Sequence, residues 1–124
     1  MTLTEKSNAE EFFSDQLIGQ RLSGIVFVLD YLQFQFDPPP ILSVYTPVSV
    51  QFEGACFRSG DDQFRNKICT QITKVVLKIQ IKASEALVIT FTDGSAIFVS
   101  LKPSDCAGRD IIDFRGRKNE IYSI

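Results

Sequence analysis

Apolar residues recur every fourth position through Ala9, Phe13 and Leu17, with Phe12 beside them, and from residue 20 onward the spacing tightens to every second position. The first period lays one apolar stripe along a helix, and the second gives a strand one apolar face. Ser7-Asn8-Ala9-Glu10 has capping-box spacing, Glu10 and Glu11 suit the positive end of a helix dipole, and Gly19 supplies a left-handed stop. A helix of about three turns is expected over 8–18.

Branched and aromatic residues then dominate in IVFVL (25–29), LQFQF (32–36) and VVLKIQI (75–81), which reads as β structure. In the last run Val75, Leu77, Ile79 and Ile81 are expected on one face, with Lys74, Lys78 and Lys82 on the other. Pro38-Pro39-Pro40 separates one pair of strands, Pro47 marks an edge strand or a bend, and Pro103 closes another run. Seven or eight strands are expected.

YLQFQFDPPPILSVYT (31–46) overlays ALVITFTDGSAIFVSL (86–101) at a constant offset of 55 residues. Leu32, Phe34 and Phe36 fall on Leu87, Ile89 and Phe91, and Leu42 and Val44 fall on Ile97 and Val99. A strand precedes each copy, so the overlay predicts two similar three-stranded meanders, over 20–53 and 68–102. Period-two alternation alone also makes any two amphipathic hairpins look alike, and both readings give an antiparallel core. Residues 54–67 read as the connecting loop, and 110–124 as a C-terminal hairpin around Gly116. The expected fold is a single domain over 1–124. It is mainly β, α+β only by count of one short N-terminal helix, as an antiparallel sheet, sandwich or partly open barrel.

Within FTDGSAIFVS (91–100) the Asp-Gly pair signals a two-residue turn, but that register would put Ile97 and Val99 on the face opposite Ile89 and Phe91. A three-residue loop, Thr92-Asp93-Gly94, gathers them on one face instead. It requires a left-handed Gly94 and lets the Asp93 side chain bind turn amides.

The totals narrow the function more than the fold. Thirteen basic residues against fifteen acidic ones give a net charge of −2 and a pI near 5.1, which disfavours nucleic acid as a partner. An acidic N-terminal stretch (Glu5, Glu10, Glu11, Asp15) and the lack of a long apolar run argue against a secretory signal or a membrane span. Cys56, Cys69 and Cys106 are odd in number and widely spaced, as expected of a cytoplasmic protein without a disulfide framework. There is no histidine, which excludes Ser-His and Cys-His nucleophile pairs.

Other candidate chemistry reads as structural. Lysines four residues apart on a strand are about 13 Å apart, too far to clamp one phosphate together. Asp61-Asp62 and Ser104-Asp105-Cys106 are common turn formers without a matched base. The cysteines lack the local pairing of zinc sites, and the glycines stand outside phosphate-binding patterns, so no metal or cofactor is expected. What remains is a surface in 54–67, where Phe57 and Phe64 stand among Arg58, Asp61, Asp62 and Arg65, residue types found at protein-binding hot spots. The alternative is that both phenylalanines tuck beneath the loop as core.

LIGQRLSGIVFVLDYLQFQF, together with ITKVVLKIQ and ALVITFTDGSAIFVSL, resembles small uncharacterised bacterial β-meander domains, some of which are immunity-type proteins of polymorphic toxin systems. The resemblance spans roughly residues 17–101 and implies a bacterial, cytoplasmic, non-catalytic protein without assigning any functional residue. The expected function is therefore a protein-interaction module, immunity-like, with a protein partner. An exposed edge near Pro47 or the C-terminal hairpin can support a homodimer. The alternative is a small-ligand binder or carboxylate-based enzyme with a cavity between the two meanders.

Overall fold

Alternation over 20–53 does produce strands, but the last of them leaves for a different sheet. The computed structural model describes residues 3–106 and 111–124. In chain order these form α1 (Leu3–Leu17), β1 (Gly24–Val28), β2 (Tyr31–Gln35), β3 (Ile41–Val44), β4 (Val48–Phe52) and β5 (Ala55–Arg58). There follow α2 (Phe64–Cys69), β6 (Val76–Lys82), β7 (Ala86–Phe91), β8 (Ala96–Ser100), α3 (Pro103–Cys106), β9 (Ile112–Arg115) and β10 (Ile121–Ser123). Two five-stranded antiparallel sheets result, ordered β1-β2-β3-β9-β10 and β5-β4-β8-β7-β6. The mainly β, antiparallel class holds, with no closed barrel.

Each sheet is a three-stranded meander extended by a hairpin: β1-β2-β3 by β9-β10, and β6-β7-β8 by β4-β5. The central hairpins share one register. Leu32 opposes Val44 and Phe34 opposes Leu42 in the first, and residues 55 positions later, Leu87 with Val99 and Ile89 with Ile97, oppose each other in the second. Their tips close alike, Phe36 N–H donating to Pro40 O at 2.9 Å and Phe91 N–H to Ser95 O at 2.8 Å. Thr92-Asp93-Gly94 is thus a three-residue loop, with Gly94 at φ +90° as that turn requires.

Among the described residues the strands number ten rather than seven or eight, because 20–53 holds a fourth strand, β4, and 54–67 is not a plain loop. Glu53 and Gly54, both at positive φ, make a two-residue turn into β5, and α2 begins at Phe64. Pro47 sits at the crossover from β3 to β4, a bend and not an edge strand. Ser100 N–H donates to its carbonyl, and the Thr46 hydroxyl donates to Ser100 O at 2.7 Å. Of the expected 110–124 hairpin, residue 110 lies outside the described residues, and β9 pairs with β10 from Asp113 to Ser123.

The even alternation expected of 75–81 is broken. A β-bulge between Val76 and Lys78 shifts the register, so Val76 is buried and Leu77 is 52% exposed. Only Ile79 and Ile81 keep their expected inward positions. Between the sheets Phe34, Phe36, Leu42, Leu87, Ile89, Phe91 and Phe114 are all buried, filling the space with side chains.

Two stacked sheets leave open seams, and the helices cover them. α1 begins at Leu3, not residue 8, so position 7 lies inside the helix rather than at its start. Glu10 serves tertiary structure instead, its carboxylate accepting from Ile81 N–H on edge strand β6 at 2.7 Å. The buried Phe13 meets Phe114 and Tyr122 edge-on, with centroids 5.2 and 5.4 Å away, which ties the same helix to β9 and β10. Gln16 adds an acceptor for Arg117 N–H at 2.8 Å. At the other seam α2 turns Phe64 and Ile68 into the core.

Because Glu10 satisfies a strand-edge amide with a charged acceptor, Glu10→Ala is expected to cost about 1–3 kcal/mol in urea unfolding and to speed hydrogen exchange at Ile81. Unchanged stability with Ile81 still protected would mean that α1 does not guard this edge.

Candidate functional site

α2 organises two surfaces, one on either side. Toward β1, Arg65 lays its guanidinium over the Phe27 ring at 5.3 Å, in range for a cation–π contact. This contact forms one wall of a cleft of about 440 Å³ between the β1–β2 tip, the β3–β4 crossover and the loop at Ser59-Gly60. Tyr31 and Tyr45 pack at 5.1 Å along the rim. Tyr45 is fixed by its hydroxyl, which donates to Asp113 at 2.8 Å, while the Ser123 hydroxyl donates to the other carboxylate oxygen. At the tip, between the paired Val28 and Tyr31, Leu29 is 97% exposed and Asp30 stands beside it.

Toward β4 and β5, Lys67 stands over Phe57 at 5.3 Å and Phe52 at 5.9 Å. Lys74 lies over Phe52 at 5.5 Å and pairs with Asp93 at 2.7 Å. The buried Gln71 joins them, its amide donating to Ser95 Oγ at 2.8 Å and its carbonyl accepting from Lys74 at 2.7 Å. Ser95 gives both its hydroxyl and backbone protons to Asp93, at 2.5 and 3.0 Å. The 3.2 Å approach of Lys74 to Ser95 Oγ has the outline of a nucleophile and base. Its connectivity opposes that use, since Lys74 is ion-paired and the hydroxyl proton is committed to a carboxylate. The cluster anchors the β7–β8 tip to the strand entry at 71–74.

Thr73 in that entry adopts φ +89°, a left-handed conformation costly for a β-branched residue, with its N–H donating to Leu22 O at 2.7 Å. Leu22 N–H in turn donates to Lys74 O, and an isolated bridge joins Arg21 to Val75. These bonds stitch the chain ahead of β1 to the chain ahead of β6, and they hold Thr73 in its strained geometry.

The expected surface of 54–67 is divided by the fold. Arg65 reaches the cleft. Phe64 also borders it, but at 5% exposure it is a core residue and offers a partner almost nothing. Phe57 is half-buried against Phe52, with ring centroids 5.9 Å apart, on the far side of α2. Arg58 is exposed on β5, and its N–H donates to the Asp61 carboxylate at 2.8 Å, giving Asp61 a turn role. Asp62 is exposed and lines neither surface. Asp105 likewise serves its turn, accepting from the Ser100 hydroxyl at 2.5 Å. Leu29, Tyr31 and Tyr45 went unnoticed in the sequence; the β1–β2 and β2–β3 hairpins gather them, and Arg65 joins them only after the crossover at Pro47.

Among the described residues no group of Cys, Asp or Glu side chains converges as a metal site, and all three cysteines are free thiols. Among the described residues two carboxylates are shifted, both downward. The Lys74 ammonium and then the Ser95 hydroxyl hold Asp93 at about 2, against 3.8 ordinarily. Glu120 is lowered by its own backbone N–H and that of Lys118. No family model, curated protein or solved structure was found to match the chain.

Asp93 is depressed in the folded state, so its stabilisation is complete above about pH 4 and is lost as pH falls toward about 2. The side chain is 49% exposed, and solvent screening reduces the contribution to about 1 kcal/mol. Asp93→Asn is expected to lose that amount at pH 7 in urea titrations and almost nothing at pH 2; an equal loss at both would disprove the charge-based role. Thr73→Gly, by relieving the left-handed strain, is expected to raise stability by about 1 kcal/mol, and a lower melting temperature would contradict this.

Proposed function

We propose that the protein is a non-catalytic interaction module of the bacterial cytoplasm, immunity-like, which presents the rim of the cleft beside α2 to a protein partner. The observation that carries this reading is Leu29, at 97% exposure the most exposed large apolar side chain described, beside Arg65, Tyr31 and Tyr45. Arginine and tyrosine are the residue types enriched at binding hot spots, and here they stand beside a leucine held in water at a tight tip. Arg65 is held in place by Phe27, and Tyr45 by Asp113, so less side-chain entropy is lost on binding.

The same reading takes the two meanders as copies of one unit, supported by the shared 55-residue offset in register. The competing view, an enzyme or small-ligand binder with a cavity between the meanders, has less support. The inter-sheet space is filled by buried phenylalanine, leucine and isoleucine, and the shifted carboxylates are the strongly ionised kind rather than candidate general acids.

The immunity reading predicts tight binding to the purified nuclease or deaminase toxin encoded immediately upstream. In calorimetric titration against that toxin, Leu29→Asp and Arg65→Ala are each expected to weaken binding at least about tenfold while leaving the melting temperature nearly unchanged. No binding by the unaltered protein would sink the immunity reading. Normal binding by both variants would exclude this surface.

A further inference from the structure

Asp93-Gly94 is the one Asp-Gly pair in the sequence, and it stands at an exposed tip where the Asp93 side chain is 49% accessible to water. That pairing carries a chemical hazard. Gly94 has no side chain to hinder approach to its nitrogen, which can attack Asp93 Cγ: the N–Cγ bond forms, the Cγ–O bond breaks and water leaves, giving a cyclic succinimide. Water then opens the ring at the main-chain carbonyl, and the chain runs on through Cγ as isoaspartate. One water is released and one is taken up, so the composition is unchanged. The main chain, however, is longer by one carbon, within the three-residue tip that sets the β7–β8 register.

The reaction needs three things, and the tip withholds each of them. The departing oxygen must be protonated, whereas Asp93 Oδ2 lies 2.7 Å from the Lys74 ammonium, which keeps the carboxylate ionised. Cγ must swing onto the nitrogen, whereas Oδ1 is tied to Ser95, accepting from its N–H at 3.0 Å and from its hydroxyl. The nitrogen must give up its proton, whereas Gly94 N–H is donated to Phe91 O at 3.0 Å. Behind these bonds stands the buried Gln71, whose carbonyl accepts from Lys74 at 2.7 Å while its amide donates to Ser95 Oγ at 2.8 Å. The matching tip of the first sheet needs no such arrangement. Its acid, Asp37, precedes Pro38, whose nitrogen has no proton to lose.

We propose that Asp93-Gly94 is a latent isomerisation site and that Lys74, Gln71 and Ser95 are its guard, keeping the bond in its native linkage while the tip is folded. The cluster that has the outline of a nucleophile and base thus preserves a peptide bond instead of attacking one. With Asp93 held at about 2 against 3.8, its protonated form at neutral pH is at least about tenfold scarcer than in the unfolded chain, after allowance for exposure.

Isoaspartate at residue 93 is read by enzymatic methyl labelling and by mass spectrometry of the fragment that contains it, after weeks of incubation at neutral pH. The folded full chain is expected to isomerise at least about tenfold more slowly than the same chain held unfolded in guanidinium. Lys74→Met keeps the aliphatic stem and loses the ammonium; folded by circular dichroism, it is expected to isomerise at least about fivefold faster than the unaltered protein. Lost stability alone does not mimic this, because a chain unfolded less than about 1% of the time gains little by that route. Should Lys74→Met fail to fold, Ser95→Ala takes its place with the same expectation. Equal rates for the folded and unfolded chain overturn the proposal. So does a folded variant that isomerises as slowly as the unaltered protein, since the shape of the turn would then protect the bond without the cluster.

Discussion

The backbone hydrogen bond from Phe91 N–H to Ser95 O, and its counterpart from Phe36 to Pro40, fix everything above them. Each closes a three-residue loop, and in a strand pair a shift of one residue moves every side chain to the opposite face. With these loops Leu87, Ile89, Phe91, Ile97 and Val99 share one face, and Leu32, Phe34, Phe36, Leu42 and Val44 share another. Leu32 alone among them is only half-buried. Two apolar faces of that kind can be hidden from water only against each other. The sandwich follows from two tips.

A sandwich solves the faces and leaves the edges. α1 and α2 both cover seams, but they do so with different chemistry. α1 combines aromatic packing through Phe13 with a carboxylate at the exposed rail of β6, so the same helix buries surface and satisfies an edge amide. α2 is short and contributes Phe64 and Ile68 inward. Its charged residues go outward in two directions, Arg65 to Phe27 and Lys67 to Phe52 and Phe57. The cleft with Leu29 at its rim exists because this small helix stands between the ends of two sheets.

Much of this was legible in the sequence, for reasons of period. The N-terminal stripe, the meanders and the three-residue tip follow from spacing alone, and Gly94 was readable because a left-handed position favours glycine. What was hidden depends on departures from period. The bulge at Leu77 leaves no mark in VVLKIQI, yet it reverses the faces of Val76 and Leu77. It also brings Lys74 across from Asp93, since continuing the Val76–Phe91 register by two residues places them opposite each other. Unbroken alternation misses that ion pair by one residue. α2 was hidden because six residues are too few to display a helical stripe, so Phe64 read as surface. Glu10 matched a local capping pattern but found a partner 71 positions away. For the cleft, the sequence supplied Arg65 but not its neighbours, which the β1–β2–β3 hairpins gather and the chain beyond Pro47 brings to Arg65.

Register is the claim on which core, seams and surface all stand. The most direct test is the set of cross-strand nuclear Overhauser contacts in the two central hairpins. Contacts are expected between the methyl groups of Ile89 and Ile97 and of Leu32 and Val44, with Phe34 against Leu42. Contacts instead between Ile89 and Phe98, the pairing of a two-residue tip, would contradict it.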